Sequence, residues 1–369
     1  MHHRSFAITI EMTATATATY SEEFTGIEGV RELKDGRVVV LDAQDKAIHL
    51  IDLAANTGVR IGRDGDGPGE FRLPLEIWPV GDSAVVRDMA RFGKLMVITP
   101  KGAIGGFVPM LDSALSTRSF NPTGVDAAGR FYGLEYTANS VYDSARVVRW
   151  DRARRTRDTV ALFMSSLIPP KMNEGDVVRA ASGRVAGVRR AARPRAFFAY
   201  NQWALAPDGR VAIVGASPYR VTYVNTNGSR TAGPVVNYRP VPVTEAEKEA
   251  WLVEASRPGP SLMMQRDGPM VATYRKRQAP TDVEWADVLP PFQLKAAHFA
   301  SDGMLWVQRS TKAGAPALFD VFDASAKVAF QIELAAGRKL LGFGTGTVYL
   351  ARVDEDDLHY LERYRLPGR

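Results

Sequence analysis

Short runs of β-branched and aromatic residues recur along the chain, and a turn signal precedes each pair of runs. Asp35-Gly36 comes before VVVLD and IHLID, and Asp208-Gly209 comes before VAIVG and RVTYVN. The same order of turn, run, polar break and run follows Gly81-Asp82, Asp302-Gly303 and Gly344-Thr345. Asp-Gly between two β-rich runs is a strong signal for a tight hairpin. A repeat of hairpins at this scale predicts a β-propeller.

The repeat divides the chain into six units. Residues 29–62 contain GVREL, RVVVLD, AIHLID and GVRIG, which we interpret as four antiparallel strands. Similar four-strand units occupy residues 73–108, 120–163, 199–236 and 291–334. Residues 339–366 supply only three strands, so the sixth unit lacks an outer strand.

The N-terminal run FAITIEMTATATATY, residues 6–20, alternates in the manner of a β-strand. We predict that it pairs with the last blade and closes the ring, because closure removes an open edge that would otherwise invite aggregation. The sequence therefore predicts an all-β fold. It is a six-bladed β-propeller of four-stranded antiparallel blades, forming a single domain over residues 1–369.

Two long insertions interrupt the repeat. The second, residues 239–290, lies between blades four and five and contains TEAEKEAWLVEAS. Thr244 is the predicted N-cap of a helix there, and Glu247 is the N3 partner of a capping box. The first, residues 165–198, carries Arg179, Arg184, Arg189, Arg190, Arg193 and Arg195. We expect both insertions on the face that carries the blade-to-blade connections, where loops on a rigid scaffold concentrate binding residues.

The segment GRDGDGPGEFRLP, residues 62–74, is the most specific motif in the chain. A Gly-rich turn followed by Phe71 and Pro74 resembles the blade-to-blade connection of NHL-type propellers, and the whole chain is similar to the bacterial six-bladed NHL-like family. A phosphate-binding loop would need a helix after the glycines, and here a strand follows. Asp64 and Asp66 lack the distal Glu of an EF-hand, so we interpret them as turn residues, with Phe71 inserted between blades.

The resemblance to NHL-like propellers implies a scaffold whose members are often exported and mostly have no assigned activity. It favours a periplasmic or extracellular location. MHHRSFAITIEM contains no basic n-region, apolar h-region or cleavage site of a signal peptide.

The composition excludes some classes of chemistry. The chain has no cysteine, which excludes disulfides and thiolate catalysis. No stretch is long and apolar enough to span a bilayer. The net charge of +6 is compatible with acidic partners, but an Arg-rich solvated surface is the favoured explanation.

Candidate binding residues lie at the ends of the second strands, in the corresponding loop of blade four and on one inner strand. A ring of arginines with aromatic neighbours suits carboxylate, phosphate or sulfate groups. The alternative is that Arg87–Asp88 and its equivalents form salt bridges between blades. The second strands also end in Asp42 and Glu135, and His298 is expected to face the channel. The predicted binding residues are Arg87, Tyr136, Tyr219, Arg220, His298, Arg309 and Arg352.

No cofactor is predicted, although calcium stays open. Glu76 and Asn201 on inner strands match fragments of the calcium pattern of lactonase-like propellers, and residues 354–357 form an acidic loop. Histidines are too few and too scattered for a zinc site.

The leading hypothesis is a monomeric binding module that recognises a protein segment or an anionic small molecule on its elaborated face. A metal-dependent hydrolase or lyase with a site in the central channel is the alternative. A second alternative is single-stranded nucleic-acid binding through the Arg-rich insertion, with Phe197, Phe198 and Tyr200 as stacking residues. Nucleic acid is the less expected partner, and no membrane span is expected.

Overall fold

The computed structural model describes residues 9–12, 15–67, 69–91, 93–112, 120–136, 144–165, 177–179, 185–188, 193–257, 261–263, 271–273 and 279–367. Its main feature is a ring of six antiparallel sheets, a six-bladed β-propeller. The first strands of neighbouring blades lie side by side around the central channel, as between blades 1 and 2 and between blades 4 and 5. The predicted fold is confirmed.

Blades 1 to 3 follow the predicted units closely. Blade 1 consists of Ile27–Glu32, Val38–Asp42, Ala47–Asp52 and Thr57–Arg60. Blade 2 consists of Pro74–Val80, Ser83–Asp88, Lys94–Ile98 and Ile104–Pro109. Blade 3 consists of Gly124–Val125, Phe131–Tyr136, Ala145–Asp151 and Thr156–Phe163.

Blades 4 to 6 complete the ring. Blade 4 consists of Gln202–Leu205, Val211–Ala216, Tyr219–Val224 and Arg230–Ala232. The blade 5 hairpins are Phe292–Phe299, Leu305–Arg309, Leu318–Phe322 and Val328–Leu334. Blade 6 takes Arg338–Gly344, Thr347–Val353 and His359–Arg365 from the C-terminal part of the chain.

The N-terminal run closes the ring by serving two blades. Ala18–Thr19 pairs antiparallel with the outermost C-terminal strand, with Ala18 opposite Arg363, and so completes blade 6 as predicted. Thr9–Met12 pairs parallel with the outer strand of blade 5, with Thr9 opposite Gln331. The second pairing was not expected, and it adds a fifth strand to blade 5.

Apolar side chains between adjacent blades form the core. All residues of Val38–Asp42 are buried, as expected for a second strand sandwiched between neighbours. Phe71 is completely buried among side chains of blades 1 and 2, including Leu41 and Met96, which confirms its predicted insertion between blades.

The Gly-rich connection before blade 2 is a turn fixed by ion pairs. The Glu70 carboxylate accepts the Gly67 N–H at 2.6 Å. Asp66 pairs with Arg72 at 2.7 Å, and Asp64 lies 3.5 Å from the same guanidinium. These aspartates therefore neutralise an arginine, in agreement with their interpretation as turn residues.

The predicted helix spans Glu245–Ser256, and Thr244 and Glu247 form the expected capping box. Glu247 also accepts the backbone N–H of Ala313, in the loop between the second and third strands of blade 5, at 3.2 Å. At the other end, Arg257 pairs with Asp357 of the corresponding blade 6 loop at 2.7 Å. The helix is thereby tied to two loops on the face that carries the blade-to-blade connections, here called the connection face.

Short strands and one turn of 3-10 helix make up the rest of the described structure. The 3-10 helix is Pro280–Asp282. The short pairs are Arg63–Asp64 with Glu70–Phe71, Val177–Arg179 with Val185–Val188, Arg195–Ala196 with Glu284–Trp285, Val241–Pro242 with Val288–Leu289, and Ser261–Met263 with Val271–Thr273. Among the described residues, no helix has the length and apolar character needed to cross a bilayer.

Candidate functional site

A cavity of about 860 Å³ opens beside blade 4 on the connection face. This size lies in the range of small-molecule and side-chain binding pockets. It will be called the aromatic cavity, and it is lined by residues 197–199, 216–219, 235–238, 284–288 and 290–291.

Four half-buried rings face the aromatic cavity: Phe197, Phe198, Tyr238 and Trp285. A short parallel pairing places Ala196 opposite Trp285, and this brings the rings of Phe197 and Trp285 to a centroid distance of 5.9 Å. The Trp285 indole N–H donates to the Pro280 carbonyl at 3.0 Å, which fixes the ring. The rings are therefore positioned by the backbone before any ligand arrives.

The helix supports the aromatic cavity from behind. Trp251 packs edge-on against Trp285, with ring centroids 5.4 Å apart. Leu252 is buried together with Ala196 and Val283, so the helix and the two insertions share a small apolar cluster.

Beneath the aromatic cavity, a buried polar network joins blades 4 and 5. The Tyr219 hydroxyl donates to Asp320 at 2.8 Å, and Arg309 donates to the same carboxylate at 3.0 Å. Gln331 donates to the other Asp320 oxygen at 2.7 Å. Burial, aided by Asp320, raises the pKa of Tyr219 well above its usual value, so the phenol stays protonated. This network therefore holds the floor of the aromatic cavity in place.

Among the described residues, the charged ones that line the aromatic cavity are two carboxylates, Glu284 and Asp287. Glu284 is paired with Arg195 at 3.2 Å, and the Arg195 guanidinium lies 3.7 Å from the Phe198 ring centroid. Asp287 is exposed. The lining is thus aromatic and acidic in a chain whose net charge is +6.

The predicted arginine ring is occupied by the protein's own carboxylates. Arg87 lies 2.6 Å from Glu76, Arg309 lies 3.0 Å from Asp320, and Arg352 lies 3.5 Å from Glu362. Each of these pairs joins two strands of one blade, so the arginines have protein partners but do not form the salt bridges between blades that the alternative describes.

The remaining predicted residues do not come together at one site, and Tyr219 and Arg220, expected in a loop, begin the third strand of blade 4. Tyr219 lines the aromatic cavity, whereas Arg220, its neighbour on the third strand of blade 4, does not. The side chain of Tyr136 lies outside the described residues. Glu135 binds Arg146 and Arg157, and Asp42 accepts the Thr25 N–H at 2.8 Å to fix the chain entering blade 1.

His298 lies on the inner strand of blade 5, which also contains an unexpected bulge. The inner strand of blade 5 slips out of register between Phe292 and Ala297, and Lys295 in the bulge has a φ of 61°. Gln202 of blade 4 holds the bulge by accepting the Ala296 N–H at 3.0 Å. Sequence reasoning missed this feature, because nothing in QLKAAHFA signals a left-handed lysine.

The channel charges influence each other. Partial desolvation raises the pKa of Glu76, and the nearby cations Arg87 and Lys295 oppose that rise. His298 has a lowered pKa because protein surrounds it on the inner strand, even though its side chain is reached by water.

The proposed calcium fragments already have protein partners. The Asn201 amide accepts the Ala216 N–H at 2.9 Å and donates to the Met164 carbonyl at 2.8 Å. Glu76 is the partner of Arg87. In the described part of the chain, no group of three or more His, Cys, Asp or Glu side chains is arranged to hold a metal.

The Arg-rich insertion is only partly described. Arg184, Arg189 and Arg190 lie outside the described residues, and only the backbone of Arg179 is described. Arg193 is exposed, whereas the Arg195 side chain is 6% exposed and engaged with Glu284.

No family model matches the chain, and no curated protein matches it. Among solved structures, calcium-binding regucalcin from Agrobacterium tumefaciens is similar at 11% identity over 99% of this chain and 98% of its own, with a TM-score of 0.37. A gluconolactonase from Xanthomonas campestris has 10% identity, coverage of 94% and 92%, and a TM-score of 0.43. Virginiamycin B lyase from Staphylococcus aureus is 10% identical over 96% of this chain and 89% of its own, with a TM-score of 0.36. The NHL-type assignment stays a prediction.

Proposed function

We propose that the protein is a binding module that takes a protein segment into the aromatic cavity. The observation that carries the proposal is the convergence of Phe197, Phe198, Tyr238 and Trp285 on one cavity of about 860 Å³. Aromatic side chains supply large contact area at low conformational cost and dominate binding hot spots.

A protein segment fits the aromatic cavity better than an anionic small molecule does. An anion would need donors, yet in the described part of the chain the charged lining residues are Glu284 and Asp287. The exposed apolar residues Val235 and Val288, 48% and 42% exposed, extend the lining outward as a surface for flanking residues of a segment.

Neither alternative function has a comparable observation in its favour. A channel metal enzyme would draw on Glu76 and Asn201, which are engaged by Arg87 and by backbone groups. Nucleic-acid binding would draw on Arg195 and Phe198, which are stacked on each other.

A random peptide library displayed on phage tests the proposal. Selection on the wild type, with counter-selection on Trp285→Ala, should yield peptides that bind the wild type at least about tenfold more tightly. Tyr238→Ala removes a ring from a different segment and should weaken the same peptides.

Tyr360→Ala is the matched control for Tyr238→Ala. Each tyrosine ring lies under an arginine, Arg352 at 4.1 Å for Tyr360 and Arg309 at 5.8 Å for Tyr238, but Tyr360 does not line the aromatic cavity. Tyr360→Ala should leave binding unchanged. The proposal is wrong if no peptide is enriched, or if the selected peptides bind all three variants equally.

A further inference from the structure

We infer that the group entering the aromatic cavity is a cation, such as a lysine or arginine side chain or an N-terminal ammonium of the bound segment. This inference rests on the proposed function and specifies its ligand. Three observations support it. Aromatic ring faces, which attract cations, line the cavity; an acidic residue lies beside them; and two of the protein's own arginines already lie over rings of the cavity.

The faces of aromatic rings attract cations because the ring quadrupole is negative there, and the attraction strengthens when the cation is desolvated. Trp285 and Phe197 come from separate insertions and stand 5.9 Å apart, with planes inclined by 35°. Tyr238 lines the same space from a third segment. Three rings around one space resemble the arrangement expected for enclosing an ammonium or guanidinium group.

The protein already places its own cations on rings of this cavity. Arg195 lies over Phe198 at 3.7 Å, and Arg309 lies over Tyr238 at 5.8 Å. Both guanidiniums also have a carboxylate partner, Glu284 and Asp320 respectively. Each internal cation is thus held by at least one ring and one acid, and Arg309 also lies over Tyr219 at 5.6 Å.

Asp287 supplies the acid that a third cation would need. It lines the aromatic cavity two residues after Trp285, is exposed, and makes no ion pair among the described residues. Its backbone is fixed, because the Asp287 carbonyl accepts the Val243 N–H at 2.9 Å. A ligand cation between Trp285 and Asp287 would therefore repeat the ring-and-acid arrangement of Arg195 and Arg309.

Choline and 3,3-dimethylbutan-1-ol provide the test, because they have nearly the same shape and differ in charge. Titration of each into the full-length protein, followed by NMR of the Trp285 indole N–H, should show choline binding at least about threefold more tightly. Asp287→Asn should reduce this preference about twofold or more while leaving the affinity for the neutral alcohol unchanged. Asp282→Asn is the matched control, since Asp282 is exposed in the same segment and does not line the cavity.

The outcomes separate the two ideas. If both probes bind equally, or if Asp287→Asn leaves the preference intact, the ligand is not selected by charge and the inference fails while the proposed function stands. If neither probe perturbs Trp285 and the peptide selection also fails, the proposed function itself is wrong.

Discussion

The hydroxyl of Tyr219 in blade 4 donates a hydrogen bond to the buried carboxylate of Asp320 in blade 5 at 2.8 Å. Tyr219→Phe should lower the free energy of unfolding by about 1–3 kcal/mol, because a charged acceptor loses one of its donors in a buried site. Urea denaturation followed by fluorescence measures this change.

Tyr223→Phe is the control for that experiment. Tyr223 lies on the same strand, but its buried hydroxyl has no hydrogen-bond partner in the described structure. Its removal should leave stability within about 0.5 kcal/mol or raise it slightly. If both variants lose the same unfolding free energy, the Tyr219–Asp320 hydrogen bond does not contribute specifically to stability.

Phe71→Ala should destabilise the contact between blades 1 and 2. Phe71 is completely buried there, so its truncation leaves a cavity and should cost about 3–5 kcal/mol in unfolding free energy. Leu162→Ala, at a side chain that is 55% exposed, should stay within about 0.5 kcal/mol. A loss below about 1 kcal/mol for Phe71→Ala would contradict the packing of the Gly-rich connection.

Protonation of His359 should weaken the join between blades 6 and 1. The Nδ1 atom of this buried histidine accepts the Ile27 N–H at 3.1 Å, and burial lowers its pKa. The folded state therefore favours the neutral form. The stabilisation is present above pH about 6.5 and is lost as the pH falls through the lower folded-state pKa.

Measuring the unfolding free energy from neutral to mildly acid pH checks this expectation. His359→Gln retains an acceptor and should flatten the pH dependence. His49 also has a lowered pKa through burial, so part of the slope should persist in that variant. An unchanged slope would exclude a contribution from His359.

Thr244→Ala should loosen the helix without disturbing the blades. The Thr244 hydroxyl accepts the Ala246 N–H at 3.3 Å, and loss of such a cap reduces helix stability by about 0.5–2 kcal/mol. Hydrogen exchange in residues 245–256 should accelerate, while exchange in blade 5 should not. Val253→Ala, at a helix position that is 50% exposed, is the control and should preserve protection.

The hydrogen bonds of Glu247 in this cap should also keep the helix N-terminus folded at acid pH. Hydrogen bonds from Thr244 and Ala313 lower the pKa of Glu247 to about 2. Their contribution is present above the ordinary pKa of a glutamate and is lost only as the pH falls through about 2. Helix protection that disappears near pH 4 while the blades persist would contradict this assignment.

The blades and the helix could be predicted because their signals are local. Asp35-Gly36 and its equivalents specify hairpins within a few residues, and Thr244 and Glu247 form one capping box within one turn. Phe71 could be placed because a Gly-rich turn precedes it.

The aromatic cavity could not be predicted, because its parts are distant in sequence. Phe197 and Trp285 meet through a strand pairing of only two residues on each side, which is too short to give a hydrophobic pattern in the sequence. The signal that existed was the presence of aromatic residues in polar, proline-rich insertions.

The partners of the predicted arginines could not be predicted either. The sequence shows Arg87, Arg309 and Arg352, but it does not show which carboxylates they bind. Those carboxylates are Glu76, Asp320 and Glu362.

The double role of the N-terminal run has a consequence for biosynthesis. Thr17 donates its hydroxyl hydrogen bond to the Arg363 carbonyl, 346 positions later in the chain. Blades 1 to 4 are built from local hairpins and can form as they are synthesised, whereas Thr9–Met12 and Ala18–Thr19 have no partners until blades 5 and 6 are made. Ring closure therefore follows the synthesis of blades 5 and 6, and Thr9–Met12 and Ala18–Thr19 stay unpaired until then.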